Sequence, residues 1–183
     1  MGNLSLSVVT HNSTGISFGC SIFMAGGISG CSDWQSLYID QMKTKLDLYA
    51  DYVTGDMDEG SIINATLFNP RRSNFDVNNK SMEEEQISWE FKMLHSADLI
   101  TFWFPSETVC PIVCYEIGYW LGCGEKEIII GVDPNYVRKS DIEIQSRLAG
   151  YDKPIYSSVE SLVTGTVDFL SETGKLVKYI TPF

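Results

Sequence analysis

The segment Asp98-Leu-Ile-Thr-Phe-Trp-Phe104 constrains the fold more than any other stretch of the chain. It is apolar at odd and even positions alike, so a strand built from it must be covered on both faces, the situation of a central strand in a parallel sheet. Parallel neighbours require crossover connections of a dozen or more residues, usually helical. The flanking text supplies them. Upstream, Ser81-Met-Glu-Glu-Glu85 opens a helix with acidic residues suited to its N-terminal dipole, and Ile87, Phe91 and Leu94 form its expected buried stripe. Downstream, the strand breaks at Pro105 and the chain restarts at Pro111 as a helix whose first turn is expected to carry one carboxylate, Glu116. That carboxylate has no basic residue near it in sequence and stands among Val113, Tyr115, Ile117, Tyr119 and Trp120. It reads either as a structural group in an apolar helix, at a cost in free energy, or as a reactive one.

The same alternation runs along the rest of the chain. From Phe18 an apolar run ends in closely spaced glycines, a buried strand leading into a tight turn. Gly26, Gly27 and Gly30 let backbone N–H groups approach a ligand closely, or simply make the turn. Their spacing is neither that of a P-loop nor that of the dinucleotide fingerprint. Asp33-Trp-Gln-Ser36 opens an amphipathic helix to about Tyr52, with Asp33 as its N-cap. A strand over Ile62 to Phe68 leads into Asn69-Pro-Arg-Arg72, where Arg71 and Arg72 suit an anionic group or a solvated ion pair. Residues 72–80 read as a surface loop. A further strand over Glu127 to Val132, a helix at about 138–149, a short strand near 154–156 and a helix from Val159 to about Leu170 complete the pattern.

Strands alternating with helices predict an α/β fold, an open parallel sheet of about five strands with helices on both faces. Ligands of such sheets sit beyond the carboxyl ends of the strands. The Gly26-Gly27 turn, the Asn69 to Arg72 exit and the Pro105 to Pro111 loop each follow a strand, so all three are expected to rim one crevice. Residues 1–17 read as an N-terminal extension suited to an edge strand, 18–171 as one domain, and 172–183 as an apolar-alternating tail.

Composition narrows the partners. The chain has 183 residues, 44% hydrophobic and 20% charged, which is the balance of a folded domain. A formal charge of −11 opposes binding to polymeric nucleic acid but leaves room for a small nucleoside or nucleotide in a local pocket. Five cysteines, Cys20, Cys31, Cys110, Cys114 and Cys123, form an odd set without a CxxC pair and read as free thiols in a reducing cytosol. No metal site and no cofactor are expected. There is no basic-then-apolar leader and no apolar run long enough for a bilayer, so a cytoplasmic location is the expectation.

With these pieces in place, the chain resembles the nucleoside 2-deoxyribosyltransferase-like superfamily. The resemblance is carried by Met24-Ala-Gly-Gly27, Asp33-Trp-Gln35, Asn69-Pro-Arg-Arg72, Gln86-Ile-Ser-Trp-Glu90, Pro105-Ser-Glu-Thr108 and Glu116-Ile-Gly118, in that order, from about Cys20 to about Leu170. It implies a flavodoxin-like domain that cleaves the N-glycosidic bond of a nucleoside or nucleotide and passes the (deoxy)ribosyl group to a free base or to water. It further implies Glu116 as the nucleophile, forming a covalent glycosyl-enzyme through the chemistry of retaining glycosidases, and Glu90 as the group that protonates the departing base. Relatives have Asp where this chain has Glu90, and Ser where it has Cys110 on the sugar side. Gly26 and Gly27 would contact the sugar or a 5′ phosphate, Asp33 the sugar or base, and Trp34 and Trp103 offer stacking surfaces. The resemblance also implies a homo-oligomer, for which the tail from Lys175 is the candidate contact. Two other readings stay open at this point: a nucleotide-binding sensor or sequestering protein that keeps the crevice without turnover, and, more weakly, a flavin carrier.

Overall fold

Six strands lie parallel in the order β1-β3-β2-β4-β5-β6, one more than expected, and a short seventh pairs antiparallel with β3. The computed structural model describes residues 3–11, 13, 19–53, 62–73 and 79–178. The strands are β1 (Asn3–Val9), β2 (Cys20–Gly26), β3 (Ile62–Phe68), β4 (Leu99–Phe104), β5 (Glu127–Val132), β6 (Ile155–Tyr156) and β7 (Val177–Lys178). The helices are α1 (Trp34–Val53), α2 (Lys80–Ser96), α3 (Pro111–Cys123), α4 (Lys139–Leu148) and α5 (Val159–Glu172). The sixth parallel strand comes from the N-terminal segment: β1 pairs with β3 along its full length at the sheet edge. The tail begins with β7, and its residues 179–183 lie outside those described.

The strands behave as their composition dictates. Every residue of β2 and β4 is buried, because helices cover both faces. Alternation along each strand sorts side chains into two cores. Ile22, Met24, Leu99 and Trp103 face α1 and α5. Phe23, Ala25, Ile100, Phe102 and Phe104 face the other side, with Leu94 of α2, Val113, Ile117 and Trp120 of α3, and Ile142 of α4. Each such side chain, fully buried, contributes on the order of 1.5–3 kcal/mol.

Register between the two central strands is pinned at their amino ends. Asp98 Oδ2 accepts from the Ser21 backbone N–H at 2.8 Å and from the Ser21 hydroxyl at 2.7 Å. That clamp sets Gly26 opposite Trp103 at the carboxyl ends. Leaving β1 aside, the order β3-β2-β4-β5-β6 is that of flavodoxin-like sheets, and the connections change direction between β2 and β4.

Two expectations about the helices need correcting. In α2, Ile87 and Phe91 are 58% and 64% exposed, and the buried positions are Gln86 and Leu94. The helix is turned by about one residue, roughly 100°, so that Gln86, Glu90 and Leu94 run down the inner side. Asn79 caps it, its side-chain oxygen accepting from the N–H groups of Ser81 and Met82. In α3, Glu116 is the sixth residue and stands in the second turn. Tyr115 and Tyr119 beside it point outward, 75% and 49% exposed.

Candidate active site

The loops after β2, β3 and β4 meet at the carboxyl end of the sheet, as the strand order requires. Ser32, after β2, donates its hydroxyl to Glu107 of the β4 loop at 2.8 Å, and its backbone N–H points to the same oxygen at 3.3 Å. These bonds hold the exposed Glu107 carboxyl below the usual carboxylate range. Arg71, after β3, donates from Nε to Gln35 Oε1 at 2.9 Å and from Nη2 to the Ser32 carbonyl at 2.9 Å. It also lies 3.1 Å from Asp33 Oδ1. Tyr136, after β5, donates its hydroxyl to the Val109 carbonyl at 2.7 Å and closes the rim on the fourth side.

Close packing explains the small residues here. A Cβ on Gly27 would stand 2.8 Å from Pro105 Cγ, 2.9 Å from Thr108 Cγ2 and 3.0 Å from Cys110 Sγ. One on Gly26 would meet the Trp103 carbonyl at 2.6 Å. The Gly27 carbonyl accepts from the Trp34 indole N–H at 2.8 Å, so this turn is tied to the start of α1. Cys110 ends the β4 loop in the left-handed region, at φ 50°, a conformation that non-glycine residues adopt at a cost and that recurs at functional sites. Its thiol is buried, faces the Gly27 N–H and donates to the Thr108 carbonyl. Burial pushes that thiol up to about 12, so it is no thiolate nucleophile.

Two carboxyls reach the inner side of this rim from the helices that flank β4. Glu116 comes from α3. Burial raises its carboxyl, and the neighbouring Glu90 charge raises it further, to about 8. Glu90 comes from α2 and is likewise raised by burial, partly offset by a hydrogen bond at 2.7 Å from Gln86 Nε2 to its Oε1. Because ionising the second carboxyl would set a like charge beside the first, the pair keeps a proton near neutral pH.

The other expected site residues fall into two groups. Gly26, Gly27, Asn69, Arg71 and Arg72 all lie on the rim; Asn69 Oδ1 accepts from the Arg71 backbone N–H at 3.0 Å, and Arg72 Nη1 donates to Gln86 Oε1 at 3.3 Å. Asp33 caps α1 by accepting from Ser36 N–H at 3.1 Å while also facing Arg71. Trp34 and Trp103, in contrast, are 2% and 5% exposed and belong to the core under the sheet, with no open face for a base. Gln35 and Gln86, both buried, were given no role from sequence although both stand in the quoted motifs. The available signal was a glutamine on the same helical phase as Leu94, where an apolar residue is the norm.

The profile of the family described as nucleoside 2-deoxyribosyltransferase like matches residues 19–136, a span that holds every rim loop and both carboxyls. The chain belongs to this family. A comparison with curated proteins finds no match. The family's small-molecule substrate class, nucleosides, accords with a protein whose overall charge repels polymeric nucleic acid. Among the described residues no helix is long and apolar enough to cross a membrane, and no cluster of three His, Cys, Asp or Glu side chains is placed to hold a metal ion.

Proposed function

We propose that this family member cleaves the N-glycosidic bond of a nucleoside or nucleotide and transfers the (deoxy)ribosyl group to a second base or to water. The observation that carries the reading is the pair Glu116 and Glu90, half-buried on the two helices around β4 and near enough that the Glu90 charge raises the Glu116 carboxyl. In the first step a Glu116 carboxylate oxygen bonds to the anomeric carbon. The C–N bond breaks with its electron pair going to the base, and neutral Glu90 supplies the proton the base needs. In the second step a base nitrogen or a water oxygen attacks the same carbon, Glu116 leaves as carboxylate, and Glu90 takes the proton back. Glu116 is the carboxyl that holds its proton to about 8, so binding of the base has to move a proton from Glu116 to Glu90 before Glu116 can attack.

Incubation with deoxynucleosides, ribonucleosides and their 5′-monophosphates, with and without a second free base, tests this by chromatography. Base release or exchange that disappears in Glu116→Gln is the expected result; full activity of that variant would refute the nucleophile assignment. Exchange without hydrolysis identifies a transferase. A second reading, a sequestering protein without turnover, draws support from the Cys110 thiol, which is spent on Thr108 where relatives carry a hydroxyl for the sugar. Tight binding with no base release across the panel would favour it.

A further inference from the structure

Gln86 lies one turn before Glu90 on the inner side of α2 and is only 7% exposed. Its amide nitrogen has two hydrogens, and both are used: one on the Pro70 carbonyl at 2.8 Å, the other on Glu90 Oε1 at 2.7 Å. Its oxygen accepts from Arg72 Nη1 at 3.3 Å. These three partners dictate the orientation of the amide. Exchanging its oxygen and nitrogen would set an acceptor against a carbonyl and a carboxyl, and a donor against a guanidinium. Glu90 Oε1 is therefore always an acceptor, and a proton on Glu90 is confined to Oε2.

We propose that Gln86, held in place by Arg72, is a positioning residue that keeps the proton of Glu90 on Oε2 and so aims it at the departing base. This rests on the glycosidic reading above. As the C–N bond breaks and its electron pair passes to the base, Oε2 gives up its proton to a base nitrogen while Glu116 forms the new bond at the anomeric carbon. Arg72 acts here through Gln86, as the anchor of a chain of hydrogen bonds. Among the described residues, the charged groups that face Glu90 are Glu116 from α3 and, through Gln86, Arg72 from the β3 exit.

Two substrates separate positioning from structural support. A nucleoside must have its base protonated, whereas a 2-deoxyriboside with a 4-nitrophenolate leaving group needs no acid. Gln86→Leu should lower kcat on the nucleoside by roughly 10- to 100-fold, less than the roughly 100- to 10,000-fold of general acid catalysis because Glu90 itself remains, with KM nearly unchanged, and leave the activated substrate within about threefold. Arg72→Met should show the same split more weakly, and Arg72→Lys should restore part of it. Equal losses on both substrates would overturn the proposal. If the native protein cleaves neither substrate, the glycosidic reading itself fails, and the relay is then read by NMR titration of carboxyl-labelled glutamate. Loss of the Gln86 donor should move the Glu90 titration to higher pH; an unmoved titration in Gln86→Leu would refute the relay.

Discussion

Arg71 and Arg72 follow one another at the exit of β3, and each donates to the side-chain oxygen of a buried glutamine, Gln35 for the first and Gln86 for the second. Beyond the glutamine the two corners diverge. Arg71 also meets Asp33 and the Ser32 carbonyl, so its charge is answered within the rim and it staples the β3 exit to the start of α1. Arg72 reaches Gln86, and Gln86 reaches Glu90, so this corner ends on the carboxyl pair. Two identical side chains in adjacent positions thus end on different groups, one on an ion pair within the rim and the other, through Gln86, on Glu90, and what separates them is the residue on the far side of each glutamine.

The largest effect should come from the end of the Arg72 corner. Glu116→Gln should reduce base release by roughly 1,000-fold or more, the scale of losing a covalent nucleophile, with an unchanged circular dichroism spectrum. Arg71→Ala comes next and acts on stability. It strands the buried Gln35 oxygen and removes several bonds, an expected loss of about 2–3 kcal/mol in chemical denaturation, against about 1 kcal/mol for Arg72→Ala. Equal losses for the two arginines would break the comparison.

The third expectation concerns pH. A carboxyl raised from its ordinary 4.5 to about 8 binds its proton more tightly in the folded than in the unfolded chain. Stability contributed this way is present at low pH and is lost as pH rises from about 4.5 through about 8. Melting temperatures at pH 5 and pH 9 should therefore differ less in Glu116→Gln than in the native protein, and parallel curves would remove the buried pair from the account. The last expected effect is at the packing under the rim. Gly27→Ala sets its new Cβ against three side-chain atoms able to shift, an overpacking cost of about 1–2 kcal/mol by thermal denaturation.

Much of this was legible in the chain itself, and the misses have physical causes. β3 and β5 coincide with the apolar runs at Ile62 and Glu127 because strands buried on both faces announce themselves without any periodicity to interpret. The rotation of α2 was not legible. Ile87, Phe91 and Leu94 make the expected stripe on hydrophobicity, and Leu94 is buried as expected; satisfying a carbonyl, a guanidinium and Glu90 at once turns Gln86 inward in place of Ile87 and Phe91. Trp34 carried the opposite ambiguity, since an indole beside a glycine turn suits a stacking platform as well as a core, and its bond to the Gly27 carbonyl places it in the core.

By itself, the sequence determined the alternation of elements, the three loops at the carboxyl end, and Glu116 and Glu90 as the carboxyls worth watching, because these depend on local composition and on motif order. Only the tertiary structure decided that the two carboxyls come near each other in a half-buried place, that the arginines have different partners, and that Gln86 faces inward. Those properties depend on which groups burial brings together and which hydrogen bonds remain to satisfy them, and no stretch of chain read alone contains that information.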